Sequence, residues 1–169
     1  MSNKVLWGEG LFLRPQHFQQ QDQYHEHRLR ESIQVVHPYA WGVLHLRIDR
    51  DALASDVLRV LELSLRFQDG EMVDAPGADM LPEPVDLSAL PQSQQSMVYY
   101  AALPAFKPFG GNFGPPGQAG NAARFVQSNN DTPDLYTQAA QAELAYLTKS
   151  LRLDLHEKTA WMLRSLLEE

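Results

Sequence analysis

Cysteine is absent from all 169 residues. That excludes a disulfide framework and any zinc site built on thiolates. Long apolar runs are missing too. Only Val5 and Leu6 follow the opening Met1–Lys4 before Trp7-Gly8-Glu9, too few for a signal-peptide core, and no later stretch approaches membrane-spanning length. A cytoplasmic chain without direct membrane insertion is therefore expected. Clustered positive charge is a third absence. Lys and Arg number 14 against 21 Asp and Glu, for a net charge of −7, with no basic block. Nucleic-acid binding rests on such clusters, so nucleic acid is not an expected partner.

The landmarks of catalysis are missing as well. The chain has no Gly-x-Ser-x-Gly elbow, no Walker spacing and no HExxH motif. His25-Glu26-His27 comes nearest to a metal site and fails on geometry, because helix residues two apart diverge by about 200°. His17 and His45 have no paired ligand in the sequence. Asp49, Asp51, Asp69, Asp74 and Asp79 lie in turn-like segments, where carboxylates ordinarily bond local N–H groups. A close pair among them is the one route to glycosidase-like chemistry. Neither a metal, a cofactor nor an enzyme activity is expected.

What is present is a folded domain: 44% apolar residues, broken by 11 prolines and 10 glycines that promise several loops. Residues 1–15 read as an N-terminal arm, an extended segment or edge strand that concentrates Leu6, Trp7, Leu11, Phe12 and Leu13 around Gly8 and Gly10. Pro15 suits the first turn of a helix, and residues 16–36 are helix-forming. Phe18, His25, Leu29, Ile33 and Val36 share one stripe at helical spacing. His37-Pro38 ends it. The aromatic cluster Trp7, Phe12 and Phe18 fits either an ordinary core or a partner-binding surface.

Beyond the helix the period changes to two. Leu44, Leu46 and Ile48 alternate with His45, Arg47 and Asp49, and Leu61, Leu63, Leu65 and Phe67 alternate with Glu62, Ser64 and Arg66. Both read as half-buried strands. Asp69-Gly70 with Glu71-Met72-Val73 after it predicts a hairpin. Residues 75–91 carry Pro76, Pro82, Pro84 and Pro91 and read as an irregular surface crossing, followed by a strand at Met97–Leu103. Residues 104–120 form a Pro/Gly-rich loop, expected to be functional or mobile. Arg124–Gln127 reads as a short strand and Asn129–Pro133 as a turn. The last forty residues fit two periods. Leu144, Leu147, Leu151 and Leu155 line a helix face, while Leu151, Leu153 and Leu155 alternate as in a strand.

The run Leu6-Trp7-Gly8-Glu9-Gly10-Leu11-Phe12-Leu13-Arg14-Pro15-Gln16-His17-Phe18-Gln19-Gln20-Gln21 resembles the N-terminal signature of the TssK (ImpJ/VasE) family of type VI secretion baseplate proteins. Pro38-Tyr39-Ala40-Trp41-Gly42, Phe67-Gln68-Asp69-Gly70, Asp79-Met80-Leu81-Pro82, Leu103-Pro104 and Leu151-Arg152-Leu153 with Trp161 follow in the family's order. The resemblance implies one shoulder domain over residues 1–169, a mainly antiparallel β-sandwich similar to the shoulder of phage receptor-binding proteins, with one N-terminal helix and the sandwich over 40–169. It implies attachment to the TssF–TssG wedge, and a trimer in the full-length family. Neck and head domains are expected to be absent, so docking to TssL and TssM is not expected. It also implies strands over Glu143–His156, a turn at Glu157-Lys158-Thr159 and a return strand through Trp161. As candidate partner-binding residues we take Leu6, Trp7, Leu11, Phe12, Leu13, Gln16 and Phe18. A sandwich of this kind has a second use, as a ligand- or carbohydrate-binding module; a cleft with convergent polar groups beside aromatics would favour it.

Overall fold

The structure, a computed structural model, describes residues 3–88, 97–114, 123–137 and 140–155. These fall into two compact units. One holds the chain up to Trp41 with Gln68–Gly70, and the other Gly42–Phe67 with the described residues from Glu71 onward.

In the first unit, α1 spans Pro15–Val36. Its start follows from Pro15, which holds Arg14 extended at φ −133° and ψ 154°. The Arg14 N–H donates to His17 Nδ1 at 3.0 Å, a side-chain partner for a group left over at the helix start. At the other end the His37 N–H closes on the Ile33 carbonyl at 2.7 Å, ahead of Pro38. No residue of α1 is buried. The expected stripe is therefore present in spacing but covered only at Ile33; Phe18, His25, Leu29 and Val36 are exposed. The arm before α1 is also not an edge strand. Residues 3–14 pair with no described strand and instead turn at Gly8–Leu11.

The second unit is mainly β. A short α2 at Arg50–Leu53 is capped by Asp49. The strands are β1 Gly42–Ile48, β2 Val57–Leu58, β3 Val60–Arg66, β4 Met72–Ala75, β5 Val85–Asp86, β6 Tyr100–Ala102, β7 Phe113–Gly114, β8 Phe125–Thr132, β9 Ala142–Lys149 and β10 Arg152–Asp154. They pair in the orders β1-β3-β4, β10-β6, β2-β5 and β7-β8-β9, antiparallel except for β7 with β8. Val60, Leu63, Leu65, Phe67, Val73 and Ala75 from the first sheet share one core with Ala101 and Leu151. Leu153 of β10 packs against it, so the three-stranded sheet and the β6–β10 pair are the two layers of the sandwich.

Several expectations need correction. Leu44 does not point into the core; it is 68% exposed. The ladder slips between Val43 and His45, and this bulge shifts the alternation before it, so Val43 packs inward in place of Leu44 while Leu46 packs inward as read. Asn129–Pro133 is not a turn. β8 runs on to Thr132, with Asn129, Asn130 and Asp131 paired opposite Ala145, Leu144 and Glu143. Residues 75–88 include the short β5, and the strand expected at Met97–Leu103 is only Tyr100–Ala102. The strands β9 and β10 decide the C-terminal ambiguity, because cross-strand pairing with β8 and β6 outweighs local Ala and Leu propensity. The return strand through Trp161 lies outside the described residues. So do residues 115–120 of the Pro/Gly loop, whose earlier part is held by Lys107–Asn112 hydrogen bonds of 2.7 Å.

The Asp69-Gly70 hairpin forms as read. The Phe67 N–H donates to the Glu71 carbonyl at 2.8 Å around a three-residue loop, and Gly70 takes φ 86°. A Cβ there would also lie 2.6 Å from the Arg30 side chain, which reaches the Asp69 carbonyl through Nη1 at 3.3 Å. Gly70→Ala is expected to destabilise the chain by about 1–2 kcal/mol in denaturant unfolding. An unchanged midpoint would contradict the strained geometry.

Candidate interaction surface

The arm is shaped by its glycines and by Pro15. Gly10 at φ 77° permits the turn in which the Leu11 N–H meets the Gly8 carbonyl at 3.3 Å. That turn lays Trp7 against the first turn of α1, with ring centroids 6.1 Å from His17 and 6.3 Å from Phe18. Trp7 is nevertheless 46% exposed, and Leu6 and Phe12 are above 80%. Leu11, Leu13, Gln16 and Phe18 are exposed as well. The structure thus gathers His17 and Phe18 around Trp7 and presents the other candidates to solvent. None of the seven contributes to a core.

Exposed apolar side chains continue along α1 and past it, at Leu29, Val35, Val36 and Tyr39. Leu29 and Val36 belong to the stripe read from the sequence, but none of the four is among the candidate partner-binding residues. In proteins most helical stability comes from packing an apolar face, and a soluble surface rarely leaves so much apolar area bare without a partner to cover it.

The titratable groups are occupied with structure. His27 pairs with Glu31 at 3.3 Å, while Tyr24 stacks edge-on against His25 at 5.5 Å. Among the described residues no three His, Asp or Glu side chains are placed to hold a metal ion. The second unit has a buried ion network that turn chemistry does not describe. Arg124, 2% exposed, donates to Glu71 Oε2 at 2.8 Å and to the Pro104 carbonyl at 2.7 Å. Asp79, also buried, accepts from Lys149 Nζ at 3.3 Å and from the N–H groups of Asp74 and Lys149 at 3.1 Å.

On the outer face of β1 and β3, Glu62 bonds Arg47 Nη2 and lies 2.8 Å from His45 Nε2. These two bonds, Arg47 first, lower the Glu62 carboxyl from 4.5 to about 2. The folded state favours the carboxylate, so whatever stability it contributes is present above pH 4.5 and fades as pH falls toward 2. Carboxyl NMR should find the Glu62 midpoint near 2, and Arg47→Ala should raise it. A wild-type midpoint near 4.5 would contradict the pairing.

Comparison with known proteins shows the family. The family described as "Bacterial Type VI secretion, VC_A0110, EvfL, ImpJ, VasE" matches residues 17–166. The chain therefore belongs to that type VI secretion family, also known as TssK. The match begins at His17, so the arm, residues 1–15, lies outside it. The chain is 29% identical over 133 residues to the type VI secretion system baseplate component TssK1 of Pseudomonas aeruginosa, covering 79% of this chain and 29% of that protein. In three dimensions it is similar to a chain of a TssK–TssF–TssG baseplate subcomplex, with TM-score 0.84, 28% identity, and coverage of 94% of this chain and 52% of the other. It is also similar to a crystal structure of TssK, with TM-score 0.81, 28% identity, and coverage of 94% and 36%. The chain thus spans under a third of the curated relative and about half or less of the two solved chains. No described helix is long and apolar enough to cross a membrane.

Proposed function

We propose that this chain is the shoulder domain of a type VI secretion baseplate subunit, a structural part that attaches to TssF and TssG through its N-terminal arm and α1. The observation that carries this reading is the exposed set Leu6, Trp7, Phe12, Leu13 and Phe18, within a segment that resembles the family signature. Aromatic side chains displayed on a backbone that is already shaped lose little entropy on docking and commonly anchor interfaces. The solved complex that this fold resembles holds TssK together with TssF and TssG, which supports the choice of partner. The role is mechanical. Apolar contact fixes one subunit on another, and no bond is made or broken. Co-expression with TssF and TssG from the same organism, followed by size-exclusion chromatography, tests it. The reading expects one peak holding all three chains; separate elution overturns it.

A further inference from the structure

The ribbon β8–β9 forms the basis of a second docking element, and the inference rests on the baseplate reading just given. The strands pair along their whole length, from Phe125 opposite Lys149 to Thr132 opposite Ala142. The root is anchored: Thr148 is buried, and Lys149 is held by Asp79. From Asn129 outward the ribbon is mostly exposed, with Leu144, Tyr146 and Leu147 open to solvent. A two-stranded ribbon is marginal by itself. Here cross-strand bonds stiffen it, Ser128 to Thr148 at 2.7 Å, Asn129 to Glu143 at 2.9 Å and Thr132 to Tyr146 at 2.6 Å.

Beyond β8, Asp134 Oδ1 accepts the N–H groups of Tyr136 at 2.8 Å and Thr137 at 3.1 Å. This fixes the turn that carries Leu135 and Tyr136, which are 84% and 94% exposed. Two large apolar side chains on a fixed backbone at the end of a stiffened ribbon have the form of a plug. Charge narrows what receives it. Between Phe125 and Thr148 the chain has Asp131, Asp134 and Glu143 and no Lys, Arg or His. A second copy would bring the same acidic rim against its own and carries a net charge of −7, so self-pairing is opposed electrostatically.

We infer that Leu135 and Tyr136, rimmed by Asp131 and Glu143, insert into an apolar pocket edged by Lys or Arg on TssF or TssG. The test titrates the full chain against purified TssF–TssG, comparing wild type with Leu135→Ser/Tyr136→Ser and with Asp131→Lys/Glu143→Lys. Each double variant should bind about 10-fold or more weakly, with the melting temperature moved by no more than about 2–4 °C, since all four side chains are exposed and the Asn129–Glu143 bond lost in one of them lies at the surface. Wild-type affinity should fall between about 50 and 500 mM NaCl, and the charge-reversed variant should lose that dependence. Wild-type affinity in both variants, alongside weakened binding by an arm variant such as Phe12→Ser, overturns the plug and leaves the baseplate reading standing. Absence of binding by the wild-type chain overturns both. A change confined to self-association, read by sedimentation, assigns the tip to a second copy and overturns the pocket on TssF–TssG.

Discussion

Arg124→Ala is expected to destabilise the chain by about 3 kcal/mol or more, lowering the melting temperature by about 6–12 °C. Arg124 is 2% exposed and joins Glu71 to the Pro104 carbonyl. Truncation takes the guanidinium from the Glu71 carboxylate, which keeps Lys149 Nζ at 3.5 Å, and removes the donor that met the Pro104 carbonyl. Removing one partner of a buried pair costs more than the pair contributes, because the remaining charge stays desolvated. Arg124→Lys should recover only part of the loss, since an ammonium lacks the planar fork that reaches both acceptors. A shift below about 2 °C for Arg124→Ala would show that the network is not a structural tie.

The second large effect lies in the arm. Trp7→Ala is expected to weaken binding to TssF–TssG by about 2 kcal/mol, roughly 30-fold, while the melting temperature moves by no more than about 2–4 °C. A tryptophan truncated in a core costs about 3–5 kcal/mol. Trp7 is 46% exposed and its ring lies against the start of α1, so its loss should appear in binding rather than folding. Large loss of stability with unchanged binding would return Trp7 to the core.

What the sequence disclosed, and what it did not, divides along a physical line. Local chemistry was legible: Pro15 and Pro38 bracket α1 almost to the residue, and Asp69-Gly70 places its hairpin. Alternation placed Leu63, Leu65 and Phe67 in the core, because β3 is regular there. It misplaced Leu44, since a bulge shifts parity without leaving a mark in the residue types. Asn129–Pro133 misled for the opposite reason. Turn-forming residues are tolerated in a strand whose partner supplies the ladder, and that partner lies some fifteen residues downstream. The Arg124–Glu71–Lys149–Asp79 network joins residues far apart in the chain, and no local pattern encodes such a meeting. Of the surface, the arm was legible through its apolar content. Leu135 and Tyr136 were not, because only the β8–β9 pairing brings them to the end of a ribbon.

Hydrogen exchange on the complex with TssF–TssG examines the docking surface itself. Residues 3–14 have few backbone hydrogen bonds of their own, so their amides should exchange fast in the free chain. Adding TssF–TssG should slow exchange across the arm and the first turns of α1, with β1, β3 and β4 unchanged. Protection confined to the sandwich strands, with the arm still exchanging at its free rate, would contradict attachment through the arm.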